Sequence, residues 1–219
     1  MPRLKVCGVN DAAFAVEAAS LGVDYLGFIF AEGSPRRVTP EKAREIMGAV
    51  RNGGSSGRPR YVGVFTDRNV ERICRIALEV GVDVVQLHSE YGAEEVSRVK
   101  ALGFEVWRLA PSEHGAEKSA AGVVDAGEDA VLLDGRSGTR CGGTGVLADW
   151  SRVAELKRLG RRVVLAGGIS AANIAAAAAT GADVIDVNSG IETAPGVKSV
   201  ELLSELLAAF AGHKNQAMT

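Results

Sequence analysis

Short β-branched runs alternate along the chain with longer stretches in which apolar residues recur at helical spacing. The runs predict strands at Leu4–Cys7, Tyr25–Phe30, Tyr61–Phe65, Val84–Leu87, Glu105–Leu109, Ala130–Asp134, Arg162–Ala166 and Val184–Val187. Between and after them, helical periodicity predicts Asp11–Leu21, Thr39–Val50, Val70–Val80, Glu94–Leu102, Trp150–Leu159, Ala171–Thr180 and Val200–Phe210. Ser112–Ala126, with glycines near both ends, fits a helix least well.

The punctuation agrees with this division. Gly22, Gly81, Gly103, Gly160 and Gly181 each follow a helical run and precede a strand, where a left-handed C-cap is wanted. Around them Gly22-Val-Asp-Tyr, Gly81-Val-Asp-Val and Gly181-Ala-Asp-Val repeat a local pattern. Asp11, Thr39, Asp67 and Ser170 are the expected N-caps.

Strict alternation with nearly continuous apolar strands implies an α/β fold whose parallel sheet is covered by helices. An open dinucleotide-binding sheet should carry G-x-G-x-x-G after its first strand. Here that strand ends Cys7-Gly8-Val9-Asn10. The expected architecture is therefore a single-domain (β/α)8 barrel, the TIM-barrel class, over residues 1–212, followed by a polar tail at 213–219. The glycine- and serine-rich stretch 51–60 joins a helix to a strand, which puts it on the barrel face away from the chemistry.

Composition narrows the partners. With a net charge of −2, no overall field draws the protein to nucleic acid or an anionic membrane, so an acidic ligand must be caught by local groups. No apolar run approaches the roughly 20 residues of a membrane span, and the first residues enter a strand without a signal-like apolar region. Cys7, Cys74 and Cys141 are odd in number and far apart, which argues against a disulfide framework or zinc site and for a reducing compartment. The expectation is a cytoplasmic protein, monomer or homodimer.

In a barrel the chemistry belongs at the C-terminal strand ends. Cys7 ends the first strand: a base or nucleophile if its pKa is lowered, otherwise a small buried hydrophobe. Arg36 and Arg37 follow the second strand, either as a fork for a carboxylate or as an exposed pair. His88, after the fourth, is a general acid or base, or a hydrogen-bonded rim residue. Asp134 ends the sixth, as a general acid or a structural carboxylate, and the glycine-rich loop beyond it includes Gly142, Gly143, Thr144 and Gly145. Such a loop is suited to closing over a substrate.

The ends of strands seven and eight, Gly167-Gly168 and Ser189-Gly190, can aim backbone N–H groups at one anion. Barrels often hold phosphate at these two loops, so a phosphorylated small molecule is the expected partner.

Together these stretches resemble the phosphoribosylanthranilate isomerase family. The resemblance rests on Lys5-Val-Cys7-Gly8, Gly27-Phe-Ile-Phe30, Ser34-Pro-Arg36, Val62-Gly-Val-Phe65, Val85-Gln-Leu-His88, Leu132-Leu-Asp134, Gly142-Gly-Thr-Gly145, Asp149-Trp150, Ala166-Gly-Gly168 and Asp186-Val-Asn-Ser-Gly-Ile-Glu192, in order. It implies an Amadori rearrangement in tryptophan synthesis that uses neither metal nor cofactor. By the same resemblance Cys7 is the general base, Asp134 the general acid, Arg36 the contact for the anthranilate carboxylate, and Gly167, Gly168, Ser189 and Gly190 the phosphate site.

The chain departs from the family pattern at Ser89, Ala148, Ser170-Ala-Ala-Asn and Ser199, none of them in the acid, base or phosphate positions. Other phosphosugar barrels share the phosphate loops: indoleglycerol-phosphate synthase, the tryptophan synthase α chain and the histidine-pathway isomerase, whose family has aspartate in place of Cys7. A barrel that only binds a phosphorylated ligand would have lost the acid or the base, and both are present. Strand alternation also puts Arg3, Lys5 and Cys7 on one face of the first strand and Asp186 on one face with Asn188 in the eighth; these strands are neighbours in a closed barrel, which predicts that Lys5 and Asp186 pair beneath the site.

Overall fold

The computed structural model describes residues 1–54, 57–110, 125–135 and 150–216. Eight strands close into a barrel in sequence order: β1 Arg3–Cys7, β2 Tyr25–Ile29, β3 Arg60–Phe65, β4 Val84–Leu87, β5 Glu105–Leu109, β6 Ala130–Asp134, β7 Val163–Ala166 and β8 Val184–Val187. Every neighbouring pair is parallel, and β1 closes on β8 with Lys5 opposite Asp186. Outside the barrel lie α1 Ala12–Ser20, α2 Pro40–Asn52, α3 Val70–Val80, α4 Ala93–Lys100, α5 Ser151–Arg158, α6 Ile174–Ala179 and α7 Val200–Gln216.

Some boundaries differ from the sequence expectation. Asp67 does not cap α3: it accepts the Asn69 N–H at 2.8 Å and pairs with Arg72, and Asn69 caps the helix by accepting the Arg72 N–H at 2.9 Å. Ser170 does not cap α6 either. Its N–H donates to Asn173 Oδ1 at 2.9 Å in a turn that precedes the helix, which delays the start to Ile174. The last helix runs on past Phe210 to Gln216. A short antiparallel hairpin, β9 Glu192–Ala194 and β10 Val197–Lys198, was not expected at all. Most of the predicted helix Ser112–Ala126, along with Cys141 and the Gly142–Gly145 loop, lies outside the described residues.

The repeated Gly-x-Asp pattern has a structural reason. Asp24 donates its N–H to the Leu4 carbonyl at 3.0 Å and accepts the Leu4 N–H at 2.8 Å. Asp83 clamps Tyr61 in the same way, Asp129 clamps Val106, and Asp183 clamps Val163. Each even-numbered strand is thus tied at its start to the odd-numbered strand before it. The glycine two residues earlier turns the chain into the clamp, with φ of 83° at Gly22, 75° at Gly81, 85° at Gly127 and 84° at Gly181.

Alternate strand residues face the barrel interior, where Tyr25, Val62, Val84, Trp107, Leu132 and Val164 pack into one apolar cluster. Polar groups close the barrel below it. Glu105 accepts hydrogen bonds from Arg60, Arg162 and Trp107, and Tyr25 accepts from Arg3 and Arg162. The opposite residues of each strand pack against the helices in a second, larger core. No helix among the described residues is long and apolar enough to cross a membrane.

Candidate active site

Above the apolar interior the barrel opens into a cavity of about 240 Å³. Cys7, Arg36, His88, Asp134, Gly167 and Ser189 all line it, though they come from six different strand ends or loops. Gly168 lines it too, whereas Gly190 does not.

Cys7 is buried on the inner face of β1, two residues above Lys5. Lys5 is fully buried and donates to Asp186 Oδ2 at 2.6 Å, the pairing expected from strand alternation. The other oxygen, Asp186 Oδ1, is buried with no hydrogen-bond partner among the described residues. Burial pushes the Cys7 thiol up; the Lys5 ammonium is the largest influence pulling it back down. Burial also works against the charged form of Lys5, but Asp186 and then Cys7 more than reverse it and keep the ammonium charged.

Arg36 reaches the cavity from the loop after β2. Its Nε donates to Glu192 Oε1 at 2.8 Å and one Nη to Glu192 Oε2 at 2.6 Å. Glu192 also accepts from Lys198 at 2.8 Å, and Lys198 in turn donates to Asn188 Oδ1 at 2.7 Å. Burial would raise the Glu192 carboxyl, but its bonds to Arg36 and Lys198 hold it down at about 2. Gly8 makes room for this arrangement. A Cβ there would stand 2.8 Å from Arg36 Cδ, and its φ of 71° already favours glycine.

Opposite, His88 Nε2 lies 3.4 Å from Asp134 Oδ2, and Gln86 Nε2 lies 3.1 Å from His88 Nδ1. With the Gln86 amide donating to Nδ1, the neutral imidazole carries its hydrogen on Nε2, facing the carboxylate. Gln86 on β4 and His88 just past its end are two residues apart and point the same way, so this link was open to sequence reasoning.

The two glycine loops meet each other. A Cβ at Gly190 would collide with the Ile169 carbonyl oxygen, and Ser170 and Gly190 form a parallel bridge. Gly190 thus brings the loops together from outside the cavity, and does not line it. A Cβ at Gly167 would strike the Gly135 nitrogen and crowd the Asp134 carboxylate. Gly167 and Gly168 both hold left-handed backbone, with φ of 91° and 68°. Side-chain-free backbone of this kind can bring N–H groups close to an anion.

Sequence reasoning overlooked Glu192 and Lys198. Glu192 closes the last stretch that carried the resemblance, and its position there was the available signal. Lys198 sits on the hairpin that periodicity did not register. Gly142, Gly143, Thr144 and Gly145 lie outside the described residues.

Comparison with known proteins fits this geometry. The family model for N-(5'phosphoribosyl)anthranilate (PRA) isomerase matches residues 4–209. An N-(5'-phosphoribosyl)anthranilate isomerase from Rubrobacter xylanophilus is 37% identical, over 95% of this chain and 98% of its own length. Among solved structures, phosphoribosyl anthranilate isomerase from Thermus thermophilus superposes with a TM-score of 0.80 at 38% identity, covering 96% of this chain and 98% of that one. Another, solved in complex with reduced 1-(o-carboxyphenylamino)-1-deoxyribulose 5-phosphate, has a TM-score of 0.77 at 27% identity and covers 97% of this chain and 100% of that one.

Proposed function

The chain belongs to the phosphoribosylanthranilate isomerase family, and we propose that Cys7 and Asp134 carry the isomerisation as base and acid across one cavity. The reaction converts N-(5'-phosphoribosyl)anthranilate to 1-(2-carboxyphenylamino)-1-deoxyribulose 5-phosphate, a step of tryptophan biosynthesis. The observation that supports the assignment is the convergence of Cys7, Asp134, Arg36 and the β7 and β8 loops on that cavity.

Asp134 donates a proton to the furanose ring oxygen as the C1–O bond breaks, and the anilino nitrogen lone pair forms C1=N. The thiolate of Cys7 then removes the proton from C2. That electron pair becomes C1=C2 and neutralises the iminium, which is the electron sink of the reaction. The resulting enolamine gains a proton at C1 and loses one from the C2 hydroxyl, leaving the ketone. Acid and base each contribute on the order of 10²–10⁴-fold.

Arg36 is held by Glu192 along one edge of its fork and turns its remaining N–H groups to the anthranilate carboxylate. His88, bonded to Gln86, faces Asp134 and orients its carboxyl group at the rim. Gly167, Gly168 and Ser189 receive the phosphate, with Gly190 keeping their loops in contact. The barrel forms one catalytic domain that acts in the cytoplasm as monomer or homodimer, and its three scattered cysteines suit a reducing compartment.

The test is turnover of freshly prepared phosphoribosylanthranilate by the purified chain, followed by loss of anthranilate fluorescence. Conversion to the ketosamine is the expected result. A folded protein without turnover would contradict the proposal.

A further inference from the structure

Lys5 and Asp186 form a buried ion pair in the middle of a barrel whose other interior residues are mostly apolar. Taking two charges out of water costs several kcal/mol per ion, and a well-packed apolar pair of similar volume often does as well or better. Stability therefore gives little reason to have this pair.

Its position does give one. Lys5 and Cys7 point to the same face of β1, and their side chains meet over Gly27 of β2. A Cβ at Gly27 would stand 3.1 Å from Lys5 Cε and 3.2 Å from Cys7 Sγ, so any side chain there would press on both. Asp186 accepts one hydrogen of the ammonium, which has three. The ammonium is thereby fixed below the sulfur.

We propose that Lys5 is a positioning residue for the reaction: anchored by Asp186, its buried ammonium stabilises the thiolate form of Cys7. This rests on the reading of Cys7 as the base. Without a nearby cation, a thiol in so dry a place stays protonated near neutrality and takes no proton from carbon.

The other charged groups that act on the sulfur are accounted for. Asp186 on β8 opposes the thiolate and Lys198 on β10 favours it, both less strongly than Lys5. Arg36, above the sulfur, is committed to Glu192, and His88 and Asp134 face each other at the rim. Of the cations near the sulfur, Lys5 acts most strongly against the burial of Cys7.

The experiment measures alkylation of Cys7 by iodoacetamide against pH, with Cys74 and Cys141 replaced by serine. Lys5→Met is expected to move the midpoint up by about one unit or more and to slow alkylation about tenfold near neutral pH. Its kcat should fall with it and recover as pH rises. Asp186→Asn removes the carboxylate that keeps the Lys5 ammonium charged and anchored, so its midpoint is also expected to move up, by less than that of Lys5→Met because the carboxylate itself opposes the thiolate. A purely structural pair would leave the thiol midpoint where it is.

Should Lys5→Met fail to fold, Asp186→Asn decides alone: an upward midpoint supports the proposal, and an unchanged or lowered one overturns it. Unmoved midpoints in both folded variants overturn it as well. A Cys7→Ser variant with full activity would instead remove the base assignment, and the thiol titration would still report the effect of Lys5 on Cys7.

Discussion

Arg36 and Glu192, 156 residues apart in the chain, share a two-point bond of 2.8 and 2.6 Å. Lys198 holds the far side of Glu192, and its own side chain is only 1% exposed. The guanidinium proposed to meet the substrate carboxylate is therefore already oriented before any ligand arrives. A pre-oriented side chain loses less entropy on binding.

Loosening that bond should affect binding more than chemistry. Glu192→Gln keeps the shape but gives up a charge-assisted pair worth roughly 1.5–3 kcal/mol. Steady-state kinetics on phosphoribosylanthranilate should show KM rising about tenfold with kcat within a few-fold of wild type. A fall in kcat at unchanged KM would assign Glu192 to the chemistry instead.

The same carboxylate links stability to pH. Its folded pKa, about 2, lies below the ordinary 4.5. A depressed carboxylate contributes stability that is fully present above the ordinary value and is lost as pH falls toward the folded one. Urea midpoints of wild type and Glu192→Gln should accordingly be well separated at neutral pH and converge as pH falls from 4.5 toward 2. A gap that is constant across this range would refute the linkage.

The glycine loops make a graded series. Gly190→Ala collides with backbone at Ile169, and Gly167→Ala crowds Asp134, whereas Gly168→Ala meets only its own left-handed φ. Gly168→Ala should lose about 1 kcal/mol of stability. Gly190→Ala should in addition weaken inhibition by inorganic phosphate, and Gly167→Ala should lower kcat most. Equal losses in all three, by thermal unfolding and steady-state kinetics, would argue against these separate roles.

Removing one aspartate clamp should destabilise the barrel without touching the chemistry. Asp83→Ala leaves the Tyr61 N–H without its carboxylate, a loss of about 1–3 kcal/mol. Chemical denaturation should register that loss while kcat stays within twofold of wild type, and a neutral substitution would show that the clamp is dispensable.

Much of this was legible in local pattern. Most of the eight barrel strands are largely apolar runs, and the strand period put Lys5 and Asp186 on facing sides of neighbouring strands. The Gly-x-Asp repeat was visible as a pattern, though its role in joining strand pairs was not, because the clamp partner lies about 20 residues earlier. What escaped was tertiary or short. Glu192 meets Arg36 only when the chain closes, and β9 and β10 are too brief and exposed to show a period. Asp67 and Ser170 looked like caps, but in each case a nearby asparagine, Asn69 or Asn173, takes the turn.

The most direct test of the account compares wild type with Cys7→Ser and Asp134→Asn in turnover of phosphoribosylanthranilate, with binding of reduced 1-(o-carboxyphenylamino)-1-deoxyribulose 5-phosphate measured in parallel. Each variant is expected to lose at least about 10²-fold in kcat while still binding the analogue. Wild-type turnover in either variant would contradict it.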